Sequence, residues 1–218
     1  MNIPANWSDD CWPLLMQALA KRPRGLKPMY HRAMVDLAME LHVPPAELHE
    51  MAEALAAHEL PSMARLWARY ADNPRRLRRD AKIVREKRGF GHEAAFYDGV
   101  EYVGTFERDF LPLAQAPELT PAMLILVLDL YFRLTPLTMV ASTPDVAALA
   151  RLIGRTPQAV VEVMEVYLFL DPQLNRSDLL ITPLLAPCQD VWRRFATGEP
   201  DAPNRLAELA RELKAYYE

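Results

Sequence analysis

Proline punctuates this chain and glycine rarely does: nineteen prolines stand against seven glycines in 218 residues. Five of the prolines follow a capping residue and open an apolar-periodic run: Asn73-Pro74, Thr120-Pro121, Thr143-Pro144, Thr156-Pro157 and Thr182-Pro183. A Thr or Asn oxygen can accept from a free backbone N–H at a helix start. Proline suits the first helical position because its missing N–H would have had no partner there. The pattern predicts helices at all five points.

Periodicity fills in the rest. Helices are expected near 9–21, 29–42, 45–57, 61–71, 74–88, 121–134, 144–153, 157–169, 183–196 and 203–217. The last shows Leu206, Leu209, Ala210, Leu213 and Tyr217 at helical spacing. Strand alternation is absent, apart from one candidate short extended piece at Val100 to Val103. The expected class is therefore all-α, in two packed helical lobes. Residues 1–97 would form the first and 119–218 the second. Residues 98–118, broken by Asp98-Gly99, Gly104, Pro112 and Pro117, would form an irregular connection. Its aromatics Tyr97, Tyr102, Phe106 and Phe110 argue that it packs against something rather than hanging free.

Several function classes are disfavoured. The longest apolar run, Ala122 to Leu128, falls far short of the roughly 18 residues needed to span a bilayer. No basic segment followed by an apolar stretch opens the chain, so a cytoplasmic location is expected. The two cysteines, Cys11 and Cys188, can make neither a disulfide framework nor a four-ligand zinc site. Asp9 and Asp10 would raise the Cys11 thiol pKa rather than activate it. His49-Glu50 and His58-Glu59 lack the second histidine of a zinc-protease helix. The remaining histidines, His31, His42 and His92, read as surface or capping residues. Asp129 has Arg133 one turn away and reads as a simple ion pair. There is no Gly-rich phosphate loop and no Gly-x-Ser-x-Gly elbow. The chain is read as a non-enzyme, with no catalytic residues, metal site or cofactor.

Residues 119–172 carry a resemblance. The run is Leu119-Thr120, Leu126 to Leu134, Thr143-Pro144-Asp145-Val146, Leu149 to Pro157, Val160-Val161 and Leu170-Asp171-Pro172. It resembles the N-terminal three-helix module of some bacterial HNH-type restriction endonucleases, itself similar to Myb/SANT-like DNA-binding units. The rest of the chain, including 74–103, looks similar to bacterial proteins of no assigned function. The resemblance implies a helix-turn-helix-like unit over 120–170 whose third helix is offered to DNA. Gly154 would end the second helix. This chain departs from the pattern. The polar positions of 157–169 are Gln158, Glu162 and Glu165, a single acidic stripe that phosphates would repel. The remainder of that helix is apolar and predicts burial. No nuclease domain and no His-Asn-His-type cluster follows.

Charge distribution supplies the main functional lead. The net charge is −4, yet residues 61–92 hold ten Lys/Arg and three Asp/Glu. Eight of the fifteen residues from Pro74 to Arg88 are basic. At about 100° per residue, Leu77, Ala81 and Val84 form a narrow apolar seam. Arg75, Arg78, Arg79, Lys82 and Arg85 stand on the opposite side as the expected nucleic-acid-binding residues. Such a face could be merely solvated, or paired with the chain's own acidic remainder. It could meet nucleic-acid phosphates or an acidic protein surface. A membrane surface is disfavoured because the seam is too narrow. The expectation is a DNA-associated regulatory protein, with a protein-interaction or scaffold module as the alternative.

Overall fold

The computed structural model describes residues 7–20, 29–88, 106–174, 180–196 and 201–218. The class is all-α. Among the described residues there are ten α-helices and no strand. Leu113 and Ala116 form one isolated bridge. No helix among them is long and apolar enough to cross a membrane. The chain divides into two compact units, residues 1–103 and 104–218.

The first unit contains α1 (Trp12–Ala20), α2 (Arg32–Leu41), α3 (Pro45–Ala57), α4 (Pro61–Tyr70) and α5 (Pro74–Arg88). Its core is aliphatic and sulfur-rich: Leu14, Leu15, Met34, Leu48, Met51, Leu55 and Met63 are essentially inaccessible. α5 joins this core through Leu77 and Ala81 and packs along α1. Val84, the third residue of the expected seam, is only half-buried.

The second unit contains α6 (Pro121–Arg133), α7 (Pro144–Leu152), α8 (Pro157–Leu170), α9 (Leu185–Phe195) and α10 (Ala202–Tyr217). α6 is its hub, packing against the other four, and eleven of its thirteen residues are buried. Asp129 is the polar residue among them. Arg133 meets it at 3.1 Å, as the i,i+4 spacing predicts. α8 is also core. Tyr167 is fully buried and its hydroxyl donates to the Leu124 carbonyl at 2.9 Å.

Side-chain capping is seen at three of the five expected Thr/Asn–Pro starts. Thr120 accepts from the Met123 amide, Thr156 from Ala159 and Asn73 from Arg76. Thr143 precedes α7 as expected, but its hydroxyl instead donates to the Thr138 carbonyl. Thr182-Pro183 departs from expectation. Thr182 accepts from the Leu184 amide within a turn, and α9 begins at Leu185. Gly154 takes φ +67° and ends α7, the conformation that glycine reaches without steric cost.

Part of the stretch expected as a connection, 98–118, falls among the described residues. Residues 106–118 belong to the second unit: Arg194 pairs with Asp109 through two contacts of 2.7 and 2.8 Å, and Arg108 with Asp190 at 2.8 Å. The Phe110 and Tyr216 rings pack with centroids 5.0 Å apart. Residues 98–105, with the extended piece expected at 100–103, lie outside the described residues, as do Gly89-Phe90-Gly91 and His92.

Candidate nucleic-acid interface

α5 starts where Asn73 caps it, and Leu77 and Ala81 fix its rotation by dropping into the core. That rotation turns Arg75, Arg78, Arg79 and Lys82 to solvent, all four exposed. Two of them meet carboxylates, both on α5 itself. Arg79 contacts the neighbouring Asp80 at 3.2 Å and Lys82 reaches Glu86 at 3.6 Å. The side chains of Arg79 and Lys82 remain 69% and 77% exposed, so water still screens these pairs. Arg78 folds back onto the Pro74 carbonyl. Neither Arg75 nor Arg78 has a carboxylate partner among the described residues. Four of the five expected residues thus share an exposed face.

The fifth does not. Arg85 lies four residues, about 40°, beyond Ala81 on the helix wheel, at the border of the seam. It turns inward. Its Nε meets Glu40 Oε1 at 2.6 Å and its Nη2 meets Oε2 at 3.0 Å, while Nη1 donates to Gln17 at 2.9 Å. These bonds tie α5 to α1 and α2, and they turn the guanidinium away from the exposed face with three of its five N–H donors engaged.

Asp80 is the feature that sequence reasoning missed. It receives the Tyr70 hydroxyl at 3.0 Å and contacts Arg79 at 3.2 Å, Arg69 at 3.5 Å and Arg76 at 3.8 Å. Arg69 also stands over the Tyr70 ring, 5.1 Å from its centroid. Arg69 and Tyr70 belong to α4, so this one carboxylate joins two helices and gathers three guanidinium groups. Burial alone would push its carboxyl pKa up. The hydrogen bonds from Tyr70 and Arg79, with the charges of Arg79 and Arg69, outweigh burial and hold it below the usual carboxylate range. Only the i,i+4 spacing of Arg76 and Asp80 was visible in the sequence.

The groups considered for other chemistry have structural places. His31 caps α2 by accepting from the Ala33 amide, and His49 lies 3.7 Å from Glu53. His42 and His58 end α2 and α3 in the left-handed region, with φ of 52° and 56°. Cys11 and Cys188 are both buried, and burial pushes the Cys188 thiol up to about 12. Among the described residues no group of three His, Cys, Asp or Glu could hold a metal ion.

The third helix of the 120–170 unit shows the burial its composition predicts. Val160, Val161, Val163, Met164, Val166, Tyr167 and Leu168 of α8 are buried, while Gln158, Glu162 and Glu165 are exposed. α8 therefore presents an acidic stripe to solvent, and cations of the kind a DNA backbone needs are found on α5 instead. No family model, curated protein or solved structure matches the chain.

Proposed function

We propose that this is a non-enzymatic, DNA-associated regulatory protein that contacts backbone phosphates through the exposed face of α5. One observation carries the reading. Arg75, Arg78, Arg79 and Lys82 share a solvent face, and the only carboxylates that meet them among the described residues are α5's own Asp80 and Glu86. The acidic remainder of the chain does not neutralise this face among the described residues, so the cations stay available to an external anion.

The character of the face favours phosphate over an acidic protein. Stable protein interfaces centre on a desolvated apolar or aromatic patch. This face has none: Ile83, the exposed apolar residue of α5, stands singly at its edge, about 40° beyond Arg79 on the wheel, and one side chain does not make such a patch. Nor does α5 carry an aromatic on which an unpaired base could stack, which favours a duplex over a single strand. With no element placed to read base edges, sequence preference should be weak.

The test is a binding titration with generic duplex DNA at several salt concentrations. Four phosphate contacts give a log–log slope of about −3.6. A variant with Arg75, Arg78, Arg79 and Lys82 all changed to Ala should lose the binding while keeping its helical circular dichroism. No binding by the wild type at ~50 mM salt removes this reading. Equal binding by the variant removes α5 as the site.

A further inference from the structure

The face of α5 is not the whole cationic surface. Arg69 on α4, with Arg76 and Arg79 on α5, surrounds a carboxylate that is only 16% exposed. The three arginines are far more open, at 52, 44 and 69%. Each guanidinium has five N–H donors; Asp80 accepts one from Arg69 and two from Arg79, and meets Arg76 only as an ion pair at 3.8 Å. Free donors therefore remain on all three, already oriented around one anionic centre. Arginines converging on a single oxyanion, with a tyrosine hydroxyl beside them, form an arrangement that suits a phosphate.

We propose that Arg69, Arg76 and Arg79 form a second phosphate-binding position, with Asp80 as its resident counter-anion. The interface then spans the α4–α5 hairpin rather than α5 alone. Asp80 holds the three side chains in place and at the same time competes for them, setting the affinity below what the cations would give unopposed. This rests on the reading of α5 as a phosphate-contacting helix, and it adds a helix and a restraint to that reading. Arg69, Tyr70 and Asp80 also line a cavity of about 330 Å³, but Asp9 and Asp10 line it with them and would repel an anion, so the phosphate is placed on the exposed guanidinium groups and not in that cavity.

The charge-matched comparisons use generic duplex DNA and the full chain. Asp80→Asn retains an acceptor for Tyr70 and removes the counter-anion. Asp72→Asn makes the same change in net charge at an exposed carboxylate in the α4–α5 turn. Asp80→Asn should bind severalfold tighter than Asp72→Asn, with a salt slope steeper by about one unit. Arg69→Ala should weaken binding and flatten the slope by about one unit. Arg65→Ala, one turn earlier on α4 and directed at the Pro61 carbonyl, should do less. If Asp80→Asn matches Asp72→Asn and Arg69→Ala matches Arg65→Ala, the second position is refuted while binding by α5 stands. If Asp80→Asn misfolds by circular dichroism, the arginine pair decides alone. If wild type binds no duplex, both the α5 reading and this one fall.

Discussion

Arg85 and Glu40, 45 residues apart in sequence, close a two-point ion pair between α5 and α2. The pair is partly shielded, with side chains 37% and 21% exposed. It separates Arg85 from the four cations it accompanies in sequence. Arg85→Ala is predicted to destabilise the first unit by about 1–2 kcal/mol, between the values for exposed and buried pairs. It should leave the salt slope of DNA binding unchanged. Arg75→Ala should do the reverse. Denaturant unfolding and the salt titration, run on both variants, check the separation; a flattened slope in Arg85→Ala would show that its guanidinium leaves Glu40 for phosphate.

The Asp80 cluster predicts a pH dependence. Its folded carboxyl sits below its unfolded value. The stabilisation is therefore present above about pH 4 and is lost as pH falls through the folded value. Tyr70 contributes the other limb. Burial first, then its hydrogen bond to Asp80, raises its pKa above 10.0, so its contribution is lost only as pH climbs beyond that value. Asp80→Asn should flatten the acid limb of stability below about pH 4. Urea midpoints measured across that range decide it, and an unchanged acid limb in the variant would contradict the assignment.

α8 gives a prediction about packing. Val163 and Val166 are 1% and 2% exposed, whereas Glu162 and Glu165 face solvent. Val163→Asp or Val166→Asp should cost roughly 3 kcal/mol or more, because each buries an unpaired charge. Glu162→Lys should change stability by no more than about 0.5 kcal/mol. Thermal melts of the three variants test this, and a tolerated Val163→Asp would mean that α8 is not core.

His58 occupies a position that glycine fills more easily. Its φ is 56°, and its amide donates to the Ala54 and Leu55 carbonyls at the end of α3. The ring also meets Trp67 edge-on at 5.3 Å, and no small side chain can reproduce that packing. His58→Gly and His58→Ala both leave the Trp67 ring without its partner. Gly should nevertheless be the more stable of the two by about 1 kcal/mol, since only Ala keeps the left-handed steric penalty. Equal unfolding midpoints for the pair would rule out backbone strain at this cap.

What the sequence determined by itself is the local structure. Thr120, Thr156 and Asn73 find their amide partners three residues away, so cap and helix start are written together. Gly154 ends α7 by its own conformational freedom. The apolar positions of α8, and the Gln158, Glu162, Glu165 stripe they leave, follow from helical periodicity alone. Four cations of α5 were legible in the same way, because Leu77 and Ala81 set which side faces the core. Tertiary structure decided whatever depends on a distant partner. Arg85 leaves the cationic face because Glu40 and Gln17 are brought beside it. Asp80 becomes a junction because α4 returns Arg69 and Tyr70 to it. Residues 106–110 join the second unit because Asp109 and Arg108 find Arg194 and Asp190 on α9. Helix starts and faces are set by interactions within a turn or two, which any stretch of chain carries with it. An ion pair across 45 or 82 residues exists only after the helices bearing its two ends have packed.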